Sequence, residues 1–151
     1  MNIQKNRRRA VLHESNGSRR EVCFFLRQFA ETHSGRELAI DLFNSKAGFV
    51  TCEDVGQGDF FFVNKSRLLY VEPEERDLLE ETLLFPRIAV EVEMIDGEVL
   101  QGEFCIELPP ERSRLSDFLN FTPQFLYLVR EGGRDAILNK FHVLAVKEKR
   151  E

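Results

Sequence analysis

Arg36–Val71, RELAIDLFNSKAGFVTCEDVGQGDFFFVNKSRLLYV, decides the reading of the fold because a second stretch matches it. Arg112–Val146, RSRLSDFLNFTPQFLYLVREGGRDAILNKFHVLAV, aligns with it once one residue is skipped. Asp41 then meets Asp117, Asn44 meets Asn120, Phe49 meets Phe125, and Asn64-Lys65 meets Asn139-Lys140. Self-similarity over this length indicates one supersecondary unit used twice. Each stretch reads as the Asp-x-x-Asn element, a strand, a Gly turn, a strand ending in Asn-Lys and a closing strand.

Outward from the repeat, each half is led by a hairpin signal. Asn16-Gly17 separates Arg9–His13 from Arg20–Phe29, and Asp96-Gly97 separates the alternating run Ile88–Met94 from Val99–Leu108. Asn-Gly and Asp-Gly between β-compatible runs predict tight hairpins with positive φ at both turn positions. Turn-rich bridges follow, Thr32–Gly35 in the first half and Leu108–Glu111 in the second. Between the halves, Glu72–Pro86 carries Pro73 at a first-turn position, acids after it, and Leu78, Leu79 and Leu83 at helical spacing. This predicts a short helix over residues 74–84, stopped by Pro86. The expected fold is mainly β: two small barrels of about five strands each, at 1–72 and 87–151, joined by a helical linker at 73–86. Each unit is near the lower size limit for an independent core, so the halves pack together or the protein oligomerises.

The second half resembles the Sm-like proteins. Val90–Gly102, with its apolar strand, Asp-Gly turn and closing Gly, is similar to that family's first signature. Asp117–Asn120 resembles its Asp…Asn loop, and Leu138–Lys140 with Phe141–Val146 resembles its closing strand pair. Arg114–Asn120 also resembles a string in bacterial proteins of the same size that carry no assigned activity. The likeness covers roughly residues 88–147 and, more weakly, 9–72. It implies small Sm-like or SH3-like barrels and single-stranded RNA as a ligand. In that family the positions matching Asn64-Lys65 and Asn139-Lys140 line the RNA pore. The departures are an inserted Pro109–Ser116, a closer Asp and Asn, and Asn-Lys where the family has Arg-Gly.

The repeated polar residues have two readings. Asp41, Asn44, Asp117 and Asn120 either bond nearby backbone N–H groups in turns or form one polar site per half. Asn64 and Asn139 suit left-handed backbone, and Lys65 and Lys140 either expose charge at an edge or contact phosphate. Phenylalanine is abundant, at 14 residues with no Trp. Phe60, Phe61 and Phe62 cannot all face one side of a strand. Burial between the halves is the preferred destination for the extra rings, including Phe118, Phe121 and Phe125, and a subunit interface is the alternative.

Charge is uneven. Residues 1–20 carry six basic residues, with Arg7, Arg8 and Arg9 as a basic patch, and one acid; the rest has 15 basic against 25 acidic residues. The acidic body disfavours RNA, whose binding depends on neutralising phosphates. Cys23, Cys52 and Cys105 form no CxxC pair, and His13, His33 and His142 have no ligand spacing, so no metal or cofactor is expected. Free apolar cysteines, the lack of an apolar leader and the lack of an 18-residue apolar run suggest a cytoplasmic protein with no membrane span. No phosphate loop or nucleophile elbow is present. The expectation is a non-enzymatic binding or assembly module. Its partner would be protein, self or other, held as a homo-oligomer or a pseudo-symmetric monomer.

Overall fold

The computed structural model describes residues 6–31, 33, 35–109 and 114–149. Thr32, Ser34 and residues 110–111 of the expected bridges, with residues 112–113 of the second repeat stretch, lie outside the described residues. The strands are β1 (Asn6–Glu14), β2 (Arg19–Leu26), β3 (Phe49–Asp54), β4 (Phe60–Asn64), β5 (Leu68–Pro73), β6 (Arg87–Met94), β7 (Val99–Cys105), β8 (Phe125–Val129), β9 (Ala136–Asn139) and β10 (Val143–Glu148). Two short helices, α1 (Ala39–Phe43) and α2 (Leu115–Phe121), occupy the Asp-x-x-Asn elements.

All ten strands join one antiparallel sheet in the order β10-β6-β7-β8-β9-β5-β1-β2-β3-β4. Each half keeps one internal order, with its last strand beside its first and the rest in sequence. The halves meet where β5 pairs with β9, Tyr70 opposite Leu138 and Val71 opposite Ile137. Both closing strands carry the same irregularity. Leu69 is skipped where β5 pairs with β1, and Leu144 where β10 pairs with β6. The fold is mainly β, as expected, and its strands make one continuous sheet that is not closed.

Two cores form under this sheet. Leu12, Phe24, Leu26, Phe43 and Cys52 centre the first, which also takes Phe125, Tyr127 and Ile137 from the second half. Val90, Val92, Phe104, Leu128 and Leu138 centre the second, which takes Leu69 and Tyr70 from the first half. Each half thus completes its neighbour's core, and burial of these rings and aliphatic chains holds the junction.

The hairpins form at the expected sites with a different backbone. Within these two turns only Gly17 and Gly97 have positive φ, at 89° and 92°, and no non-glycine residue does among the described residues. Asn16 and Asp96 instead accept from the N–H of Ser18 at 2.9 Å and of Glu98 at 3.1 Å. The Gly17 N–H donates back to Glu14 and the Gly97 N–H to Met94. This is the three-residue connection, in which only the last position needs glycine.

The three-turn helix expected over 74–84 does not form; a single 3-10 turn spans Glu80–Leu84. The helical pattern loses to tertiary contacts made by a non-helical backbone. The Asp77 N–H donates to the Tyr127 hydroxyl at 2.9 Å, and its carboxylate accepts from the Ala39 N–H at 2.7 Å. Leu78 and Leu83 still pack, against the first core.

Gly102 is where β8 crowds β7. A Cβ there would lie 2.5 Å from the Val129 carbonyl oxygen and 2.7 Å from Leu128 Cγ. Backbone cannot yield as a flexible side chain does, so Gly102→Ala is expected to destabilise the fold by about 2 kcal/mol. Urea unfolding of the variant checks this, and an unchanged midpoint would refute the crowding argument.

Candidate functional site

Asp41, Asn44 and Asn120 bond backbone. Asp41, in the first turn of α1, accepts from the Leu38 N–H at 2.9 Å and pairs with His33 at 2.6 Å. Asp117 sits in the first turn of α2, where a carboxylate suits the helix dipole. Asn44 ends α1 and reaches across the junction. Its amide donates to the Phe125 carbonyl at 3.1 Å and its oxygen accepts from the Phe125 N–H at 2.8 Å. Asn120, its counterpart, donates to the Ser116 carbonyl within its own helix at 2.7 Å and is exposed.

The Asn-Lys pairs depart from expectation. Asn64 and Asn139 have ordinary negative φ and cap 3-10 turns, accepting from the Ser66 N–H at 3.0 Å and the Phe141 N–H at 3.1 Å. Lys65 is buried instead of exposed, and its Nζ donates to the Ser45 carbonyl just past α1 at 2.7 Å. Lys140 does the same for α2, donating to the carbonyls of Leu119 at 2.8 Å and Thr122 at 2.6 Å. Burial lowers both ammonium pKa values from their ordinary position. A cation at a helix C-terminus satisfies carbonyls that lack intrahelical partners, which explains the residue type at both places.

The basic patch is largely paired. Arg7 bonds Glu53 at 2.7 Å, Arg9 lies within 3.4 Å of Glu74, and Arg8 donates to the Arg7 carbonyl at 3.4 Å. The three cysteines are buried and free, and desolvation pushes the Cys52 thiol up to about 12. Among the described residues, no helix is long and apolar enough to cross a membrane.

The phenylalanines separate by position. Phe61 packs on the first core, and Phe118 packs in the second with its ring 4.9 Å from Phe104. Phe125 is buried at the junction, 5.6 Å from Phe43. Phe60 and Phe62 are not buried between the halves; they lie exposed on β4, the free edge of the sheet, with Phe49 exposed beside them on β3. Phe121 is exposed at the end of α2. Phe25, Leu42, Phe49, Val50 and Phe60 help line an open trough of about 390 Å³ there. Alternation along β4 makes this outcome legible: with Val63 and Phe61 inward, Phe60 and Phe62 must face out.

One imidazole–carboxylate contact lies between β1 and β5. His13 bonds Glu72 and stacks on Tyr70 with ring centroids 4.0 Å apart. The bond from His13 holds the Glu72 carboxyl below its ordinary range against the opposing effect of burial. A depressed carboxylate contributes stability above its unfolded pKa of about 4.3, and the contribution is lost as pH falls through the folded value. Glu72→Gln is therefore expected to flatten the acid limb of stability below about pH 4.3. Urea midpoints at neutral and acid pH test this; an unchanged acid slope would remove Glu72 from it.

Comparison with known proteins finds no matching family model, no similar curated protein and no similar solved structure.

Proposed function

We propose that the chain is a non-enzymatic assembly module, made of two small Sm-like units in tandem, that associates with protein through its open sheet edge. One observation carries this reading: Phe49, Phe60 and Phe62 are exposed together at the unpaired β4 edge and beside the trough. An exposed apolar edge strand is a template for another strand, and sequences that need to stay apart blunt it with Lys, Pro or a bulge. β4 carries none of these among its residues, FFFVN. Adding a strand would supply main-chain hydrogen bonds, and the outward rings would supply apolar contact. The shared strand order and the paired cores support the reading of two tandem units.

The geometry favours protein over single-stranded RNA. Lys65 and Lys140, the candidate phosphate contacts, donate to helix carbonyls. Arg7 and Arg9 face carboxylates.

The test is association by light scattering over a concentration series, with pull-down on the same protein. The wild type is expected to associate, and Phe49→Ser/Phe60→Ser/Phe62→Ser to stay dispersed with an unchanged unfolding midpoint. A wild type that is monodisperse as a monomer and recovers no protein would overturn the reading. So would a triple variant that associates as the wild type does.

A further inference from the structure

We infer that the occupant of the β4 edge is the β10 edge of a second copy of this chain, so that copies join head to tail. The inference rests on the assembly reading above and names its partner. The contact between the halves is heterologous: β5, the closing strand of the first half, pairs with β9, the fourth strand of the second. The strand corresponding to β9 in the first half is β4, and the strand corresponding to β5 in the second half is β10. These are the two strands at the ends of the sheet. A heterologous contact used once between like units leaves one example of each surface unfilled. Such surfaces close a ring or extend a filament.

Burial follows this correspondence. Phe125 is 1% exposed at the junction, and Phe49 in the matching place is 59% exposed. Ile137 on β9 is 0% exposed, and Phe62 on β4 is 71% exposed. Leu69, the bulged residue of β5, is 3% exposed inside the second core; Leu144, the bulged residue of β10, is 63% exposed. The junction covers each buried member, and nothing among the described residues covers its counterpart.

The polar contacts have counterparts too. Asn44 brackets the Phe125 backbone, so Asn120 of one copy would bracket Phe49 of the next. The Asn139 amide donates to the carbonyls of Lys65 at 3.3 Å and Leu68 at 2.8 Å. The Asn64 amide would then donate to Lys140 and Val143 of the next copy. Transfer of the register of β5 and β9 sets Val146 opposite Phe62 and Ala145 opposite Val63. The trough beside Phe49 lies where, in the second half, α1 and Leu78 cover Phe125 and Tyr127. One exchange is visible: Phe60 stands in the place of Asp135, so apolar contact replaces the Arg76–Asp135 bridge of the internal junction.

Complementary blocking tests this. One variant, Phe49→Asp/Phe62→Lys, spoils the β4 side; another, Asn120→Ala/Leu144→Asp, spoils the β10 side. All four residues are exposed, and circular dichroism checks that the folds are kept. By sedimentation, the wild type is expected to exceed two chains and each variant alone to be a monomer. Their equimolar mixture is expected to stop at a complex of two chains. Asn64→Ala, a milder change, is expected to weaken self-association about tenfold. If the β10-blocked variant associates alone, β4 pairs with β4: the head-to-tail inference falls and the assembly reading stands. If the wild type and the mixture remain monomeric, the inference falls, and pull-down on the β4 edge decides the assembly reading separately. If Asn64→Ala leaves association unchanged, the transferred contacts are wrong.

Discussion

Replacing Asp135 with alanine is expected to lower the free energy of unfolding by about 3 kcal/mol. Asp135 is buried at the start of β9, with both carboxylate oxygens engaged. One accepts from the Tyr127 hydroxyl at 2.7 Å and from Arg76 Nε at 2.9 Å. The other accepts from the Arg130 N–H at 2.9 Å and from Arg76 Nη2 at 3.2 Å. Truncation leaves a buried hydroxyl, a backbone N–H and a guanidinium without their acceptor, and an orphaned buried donor costs more than a hydrogen bond contributes on average. The network is also a tie between halves, since Arg76 follows β5 and the Tyr127 hydroxyl receives the Asp77 N–H. Burial first, and then Asp135, hold the Tyr127 hydroxyl above its ordinary pKa, so it stays a donor across the working pH range. Asp135→Asn keeps the shape and one acceptor, and is expected to lose less than half as much. Urea unfolding of both variants checks the order. An alanine variant as stable as the wild type would show that the network is dispensable.

Much of the fold was legible in the sequence because it rests on local chemistry. The Asn16-Gly17 and Asp96-Gly97 turns, the alternation in Ile88–Met94 and the ten-strand total follow from turn residues and period-two patterning. The segment 74–84 departs from its helical pattern for a physical reason. Its leucine spacing suits a helix, but a non-helical backbone lets Asp77 bond Ala39 and Tyr127, partners 38 and 50 residues away in sequence. Short-range patterning cannot register such partners. The sheet's continuity was hidden for the same reason, because the pairing of β5 with β9 depends on shapes assembled by the two halves. At the candidate site, the spacing paired Lys65 with Lys140 but gave no sign of the carbonyls that hold them. Lys65 and Lys140 lie 20 and 21 residues from the carbonyls of Ser45 and Leu119 that they satisfy. The exposed rings of β4 were half legible: alternation required at least one of them to leave the core, but only strand order shows that β4 is an edge.

Asn139→Ala should be the second severe substitution, and its contrast with Asn64→Ala isolates the junction. Asn139 is completely buried at the end of β9. Its amide donates to the carbonyls of Lys65 and Leu68, and its oxygen accepts from the Phe141 N–H at 3.1 Å and Gln124 Nε2 at 3.3 Å. Alanine leaves two carbonyls and a backbone N–H without these partners, for an expected loss of about 3 kcal/mol. Asn64 holds the matching place in the first half and caps its own turn through the Ser66 N–H. In dilute, dissociated protein, Asn64→Ala should cost only a cap, about 1 kcal/mol. The residue type and the local turn are the same at both positions, so the difference measures what a neighbouring unit adds. If Asn139→Ala costs no more than Asn64→Ala, the buried amide does not hold the halves together. If the gap is found, and Asn64→Ala also weakens self-association at higher concentration, one asparagine position performs the same task within a chain and between chains.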